Sequence, residues 1–246
     1  MSLLSGDFGR SIRTSRPILP DVLARVPVTY QLAAMAMVLS LIAAIPLGVA
    51  SSIKRSTRID SFIRAVGLLG LSIPNFWLAS MLILLVSQHF AGGLPTSGYA
   101  YPNNDLVGSF RSLLLSALVL GAANMAILMR MTRSSMLEVL GLEYVKTARA
   151  KGLVERVVLY RHALRNALIP VVTVAGVQVG YLRGGAVIVE QIFALPGLGT
   201  LVLNGITQRD YPVVQAGVLF IAATFVLVNL VVDVLYAYLD PKIRYG

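Results

Sequence analysis

The sequence predicts an all-α, polytopic transmembrane helical bundle of five spans, and three observations carry that expectation. Apolar residues make up 57% of the 246 and charged residues only 13%, with a mean hydropathy of +0.77. A soluble domain carries roughly 25% charged residues, so a surface this poor in charge needs lipid rather than water over much of its area. Five apolar stretches approach or exceed the ~20 residues that cross a bilayer: Val28–Ala50, Phe62–Phe90, Leu113–Met131, Leu168–Phe193 and Val213–Leu239. No alternating period-2 pattern repeats within them, which favours helices over the strands of a barrel.

Prolines fall inside or near several spans, at Pro46, Pro74 and Pro170. Each removes a backbone donor, which a membrane helix tolerates where neighbouring helices or water repair the loss. Small residues recur in Gly67-Leu-Leu-Gly70, Gly176-Val-Gln-Val-Gly180 and Gly184-Gly-Ala186. They allow helices to approach closely, so a packed bundle is expected rather than separate anchors. Asn124 is placed to hydrogen-bond across helices.

The net charge of +10 arises from 21 Lys and Arg against 11 Asp and Glu. In a soluble chain this balance would suggest nucleic acid, but here the basic residues lie between apolar runs, and no nucleic-acid partner is expected. Lys54, Arg55 and Arg58 follow the first span; Arg130, Arg133, Lys146, Arg149, Lys151, Arg156, Arg161 and Arg165 follow the third; Lys242 and Arg244 lie in the tail. The positive-inside rule puts these segments and the C-terminus in the cytoplasm, and five spans then put the N-terminus outside. Residues 1–27 therefore read as an extracytoplasmic segment and residues 28–246 as the transmembrane domain, with a cytoplasmic loop at 130–167. Arg10, Arg13, Arg16 and Arg25 conflict with that placement, and an additional upstream helix would resolve the conflict.

The interval Ser134–Ala167 carries the most information. Leu137, Leu140, Tyr144 and Ala148 share a face at helical spacing up to Gly152, which reads as a helix stop. A second amphipathic run from Glu155 to Asn166 places Val157, Tyr160 and Leu164 on one face, with Pro170 just inside the next span. A basic, partly apolar helix pair suits docking into a partner's groove. A solvated loop that only sets topology, or a helix lying on anionic headgroups, fits the same pattern.

Here the residues resemble a known family. Glu143-Tyr-Val-Lys-Thr-Ala-Arg-Ala-Lys-Gly-Leu153, with Arg161-His-Ala-Leu-Arg-Asn-Ala-Leu-Ile-Pro170, resembles the cytoplasmic signature of binding-protein-dependent ABC importer permeases, in their dipeptide, oligopeptide and nickel branch. Gly9-Arg-Ser-Ile-Arg13, Gly184 to Phe193 with Pro196-Gly-Leu-Gly199, Arg209-Asp-Tyr-Pro-Val-Val-Gln215, Val231 to Tyr236 and Asp240 to Arg244 agree in order along nearly the whole chain. Departures are Lys146-Thr147-Ala148 where the general signature begins with glutamate and two alanines, a wider spacing of the glycine and the proline, and Arg183 where an apolar residue is usual; the branch's first helix is expected to be missing.

The resemblance implies a type I importer permease fold and a coupling helix that enters a cleft of an ATP-binding subunit. Glu143, Tyr144, Thr147, Ala148, Ala150 and Gly152 are then the coupling residues, with Ala148 small enough for close partner approach. It also implies a second homologous permease subunit, ATP-binding subunits that hold ATP and magnesium, an extracytoplasmic solute-binding protein, and the bacterial or archaeal plasma membrane with its lipid as surroundings. The cargo would be a peptide, with nickel complexes, glutathione and oligosaccharides as alternatives.

Asn124, Arg183 and Glu190 are candidates for a polar translocation lining, because ionisable groups at membrane depth usually face water or the bundle interior. Glu190 is read equally well as an interfacial residue near the outer face, and Asp233 is read in preference as a helix end near the cytoplasmic headgroups. There is no G-x-x-x-x-G-K-[ST] loop, no HExxH, no GxSxG and no cysteine, and His89 and His162 are too few for a histidine metal site. The chain is therefore expected to be non-catalytic, with neither a metal nor a cofactor of its own. A free-standing secondary transporter or channel is the alternative function.

Overall fold

The computed structural model describes residues 8–89, 93–102 and 105–239. They form α1 (Ile18–Ile53), α2 (Arg58–Ser72), α3 (Asn75–His89), α4 (Leu106–Leu140), α5 (Glu143–Ala150), α6 (Glu155–Val157), a π-helical stretch at Val158–Leu164, α7 (Arg165–Ile192), α8 (Leu198–Thr207) and α9 (Tyr211–Leu239). No strand occurs among the described residues, only an isolated bridge between Arg10 and Pro17. Four helical segments are long and apolar enough to span a membrane, and the α2–α3 pair makes a fifth if counted as one span. The all-α membrane bundle is thus as expected.

Three boundaries differ from the sequence reading. The stretch expected as one span from Phe62 is broken, with α2 and α3 meeting at 106°. Pro74 has no N–H to continue the ladder, and it drives Ile73 into extended geometry at φ −82°, ψ 121°. Phe90 lies outside the described residues. α1 begins at Ile18, ten residues before the expected Val28, so Arg25 is helical rather than part of a leading segment. At 36 residues and 1.5 Å per residue it is ~54 Å long, well beyond the ~30 Å hydrocarbon core. Finally, residues 134–140 belong to α4, and the second amphipathic run joins α7 through the π-helical stretch without a break, with Pro170 inside α7.

The chain divides into two compact units. One holds the residues up to Ala36 together with Pro74–Leu120 and Val179–Leu230. Ile18, Val22, Leu198, Leu201 and Ala216 form a core there, with Phe8 and Phe220 packed against it. The other holds Met37–Ile73, Gly121–Gln178 and the residues from Val231. Its core joins Val49 of α1, Met136 and Val139 of α4, Val145 and Ala148 of α5, Val158 and Ala163 of the π stretch, and Ala167 of α7.

Within this second unit α1 and α4 touch at backbone distance. A Cβ built on Gly48 would lie 2.6 Å from Thr132 Cβ and 2.7 Å from the Met129 carbonyl oxygen. Neither neighbour can swing away, since one is main chain and the other is β-branched within a helix. Gly48→Val is therefore expected to cost about 1–3 kcal/mol through overpacking. Chemical unfolding of the purified chain in detergent measures this, and an unchanged midpoint would contradict the contact.

Candidate functional site

The loop singled out by sequence is an ordered helix held by the second unit. Gly141 and Leu142 turn the chain out of α4, and the amide of Leu142 donates to the Val139 carbonyl at 3.1 Å. α5 follows. Val145 and Ala148 are its buried residues and face the core of their own unit. Ala148 is 7% exposed, and its small side chain allows α5 to approach α1, α4 and α7. A larger residue would push α5 off its seat rather than obstruct something arriving from outside.

The stop at Gly152 has the form expected. The Gly152 amide donates to Arg149 O at 2.9 Å and the Leu153 amide to Ala148 O at 3.4 Å, the paired bonds of a Schellman cap. Gly152 sits at φ +76°, where a β-carbon is strained, although the space beside it is open. The glycine is required by the backbone and not by crowding.

The outer face of α5 and the turn beyond it is mixed. Glu143, Thr147 and Ala150 are exposed, and Lys146 pairs with Glu143 at 2.7 Å. Thr147 Oγ1 donates to the carbonyl of Glu143. Arg149 forms two hydrogen bonds to Glu155, at 3.1 and 2.8 Å, which tie α5 to α6 across the glycine turn. Around these charges Leu142, Leu153, Val154 and Tyr160 present apolar surface, and Val154 is 71% exposed. Tyr144 connects the two halves: its hydroxyl donates to His162 O at 3.3 Å and accepts from Asn166 Nδ2 at 2.7 Å. It is thus a brace as well as an exposed aromatic.

A carboxylate that the sequence reading passed over anchors the same unit. Asp60 is 1% exposed. It accepts from Arg133 Nε and Nη2 at 3.0 and 3.1 Å, from Ser51 Oγ at 2.6 Å and from the Ser56 amide at 3.1 Å. One side chain so joins the end of α1, the start of α2 and α4. The Thr57-x-x-Asp60 spacing of a helix start was the available signal, and Thr57 does cap α2 by accepting from the Asp60 amide.

The candidate lining residues fall in different places. Asn124, 7% exposed, accepts from Gln178 Nε2 at 2.9 Å and so makes the interhelical bond expected of it. Glu190 is fully buried in the first unit. Its carboxylate accepts from Thr29 Oγ1 at 2.6 Å and from the Thr200 amide at 2.9 Å, at the N-terminus of α8. A helix N-terminus favours an anion through its unpaired amides and its dipole, so Glu190 acts as an external cap for α8. Arg183 falls within α7 and Asp233 within α9, and both side chains lie outside the described residues.

Also in the first unit, Asp210 of the Arg209-Asp-Tyr-Pro motif meets Ser11 of the Gly9-Arg-Ser-Ile-Arg13 motif. Asp210 accepts from the Ser11 hydroxyl and from the Ile12 amide at 3.2 Å, while Arg13 Nε donates to Gln208 O at 3.0 Å. Burial raises the Asp210 carboxyl, but the bonds from Ser11 and from the Ile12, Arg13 and Val213 amides outweigh it and hold the group below its ordinary value. Among the described residues no group of three or more His, Cys, Asp or Glu could hold a metal ion.

Residues 44–245 match the profile of the family described as binding-protein-dependent transport system inner membrane component. The chain is 41% identical over 99% of its length to the dipeptide transport system permease protein DppB of Alkalihalophilus pseudofirmus, covering 79% of that protein. It is 41% identical to DppB of Escherichia coli K12, with 99% of this chain and 78% of that protein covered. It is 43% identical to the oligopeptide transport system permease protein AppB of Bacillus subtilis, again over 99% and 78%. Among solved structures, a chain of the MetNI methionine ABC transporter in an inward-facing conformation superposes with a TM-score of 0.75. The match covers 92% of this chain and all of that one. At 16% identity this likeness concerns the fold alone.

The Asp210 clasp has a defined pH window. A folded-state value below the ordinary ~3.9 means that its contribution is complete above that range and is lost as pH falls through the depressed value. Hydrogen exchange at the Ile12 amide, corrected for intrinsic rates, is therefore expected to show constant protection from neutral pH down to about pH 5. Protection lost well above that point would contradict the assignment.

Proposed function

The chain belongs to the binding-protein-dependent transport system inner membrane component family, and on that footing we propose that it is a peptide-importing ABC transporter permease whose α5 is seated for coupling. A second homologous permease subunit completes the translocation pathway. An extracytoplasmic binding protein delivers the peptide, and ATP-binding subunits hold ATP and magnesium and perform the hydrolysis. The end of the second unit that carries α5 faces the cytoplasm, as does the C-terminus, in keeping with the basic residues gathered at 54–58 and 146–165.

One observation carries the coupling role: α5 has two faces with separate tasks. Its inner face is buried against the ends of α1, α4 and α7. Its outer face, continued by Leu153 and Val154, presents apolar side chains among Glu143, Lys146, Arg149 and Glu155. A groove on an ATP-binding subunit would cover that outer face, and closure of the nucleotide sites would displace α5. Because α5 is packed onto three membrane helices, it cannot be displaced alone, and the chain continuity of α1, α4 and α7 carries the movement into the membrane. The two discrete positions of such an element supply the physical basis for coupling at a distance.

In this account Glu190 and Asn124 are joints of the permease. Glu190 fixes α8 to α7 and α1, and Asn124 fixes α4 to α7. Arg183 is assigned to the lining of the pathway.

The outer face provides the test. Val154→Asp puts a charge at a 71% exposed apolar position, so the chain should insert and fold normally. Association with the ATP-binding subunit should weaken by about 2 kcal/mol or more, as for a central interface residue. The readouts are co-purification of the complex and ATP-driven peptide uptake into membrane vesicles. Both should fall together while the amount of inserted chain stays level, and wild-type uptake would overturn the reading.

A further inference from the structure

The second unit contains a cavity of about 280 Å³ between α2 and α4, lined by Arg64, Leu68, Leu71, Met129, Arg130 and Arg133. Its chemistry is divided. Arg64, Arg130 and Arg133 contribute to the lining together with Leu68, Leu71 and Met129, and most of the lining surface is apolar. Asp60 is the nearby acid, and Arg133 satisfies it with Nε and one Nη2 hydrogen, which leaves further donors on that guanidinium. Arg64, 55% exposed, stands 3.5 Å from the same carboxylate. Arg130 is exposed and has no acidic partner among the described residues. Three positive groups against one negative leave the surroundings of the cavity cationic.

Position along the helices narrows the occupant. Arg64 is six residues into α2, ~9 Å from its start, and α2 begins beside Lys54, Arg55 and Arg58. Arginines this near the ends of membrane helices reach the headgroup layer, where cationic side chains are tolerated. The apolar wall leads from that layer toward the hydrocarbon, and Leu68 at its edge is 65% exposed and thus open from outside the chain. A small hydrophilic anion would use the guanidiniums and leave the apolar wall in contact with water. A neutral lipid would use the wall and leave Arg130 uncompensated. An anionic phospholipid uses both.

The geometry points to a binding site for one anionic phospholipid, its phosphate held by Arg64, Arg130 and the free donors of Arg133, and its upper acyl chain laid along Leu68, Leu71 and Met129. Basic recesses between membrane helices take acidic headgroups by the same electrostatics. Nothing in this proposal depends on which solute is transported.

Native mass spectrometry of the full chain in detergent tests it, with phosphatidylglycerol, phosphatidylcholine or inorganic phosphate added in turn. Phosphatidylglycerol is expected to be retained at a stoichiometry of one in preference to phosphatidylcholine. Arg130→Gln should weaken retention about fivefold, and Arg64→Gln with Arg130→Gln roughly 25-fold, at about fivefold per cationic side chain. Arg133 is left intact because it pairs with Asp60. Leu68→Trp fills the apolar side and preserves every charge, so it too should lower retention. Arg58→Gln, outside the cavity, serves as the control. Equal retention of the two lipids, displacement by inorganic phosphate, or an effect of Arg58→Gln as large as that of Arg130→Gln would each overturn the site. Unchanged retention in Leu68→Trp would likewise reduce it to general surface attraction.

Discussion

The packing of α5 against its own unit is the constraint on which the rest depends. A helix of eight residues is far below the length at which isolated helices persist in water. α5 exists because Val145 and Ala148 are buried with Val49, Met136, Val139, Val158, Ala163 and Ala167. The same contacts that make it a helix make it part of three others. The Schellman cap at Gly152 and the Arg149–Glu155 pair then fix where the chain turns, and the Tyr144–Asn166 bond fastens the far side. Local stability and mechanical linkage arise from one set of interactions.

Charged groups elsewhere serve a comparable end. Asp60, Glu190 and Asp210 are each almost wholly buried, and each collects donors from segments distant in sequence. Burying a carboxylate is costly unless its oxygens are satisfied, so these sites are specific: a displaced helix would leave an anion without partners. Two of them use helix N-termini, Glu190 at α8 and Asp210 at α9, where unpaired amides and the helix dipole already favour negative charge. In a membrane bundle, where lipid competes equally for apolar surface, such polar joints choose among packings that dispersion alone would leave close in energy.

Much of this was legible in the sequence. The apolar spans, the stop at Gly152 and the small residues between helices follow from rules that act within one or two turns. The bend at Pro74 was less so, because a proline in a membrane helix can kink it slightly or end it, and the surroundings decide. The inward orientation of Ala148 could not be read either: amphipathic periodicity shows that a helix has two faces, while the chain that covers one of them comes from residues 49, 136 and 167. The Ser11–Asp210 clasp joins residues 199 positions apart, and Glu190 joins Thr200, 10 positions on, to Thr29, 161 positions back; separations of that length leave no local pattern. The motifs that contain them were visible as motifs, but their mutual contact was not.

In the proposed coupling, the inner face of α5 transmits force while the outer face receives it. Ala148→Leu tests that division most directly, because it overpacks the inner seat and leaves the outer residues unaltered. In the reconstituted transporter, ATP hydrolysis and peptide uptake are measured together. The account predicts that hydrolysis continues while peptide imported per ATP falls steeply. Uptake that keeps its wild-type ratio to hydrolysis would contradict it.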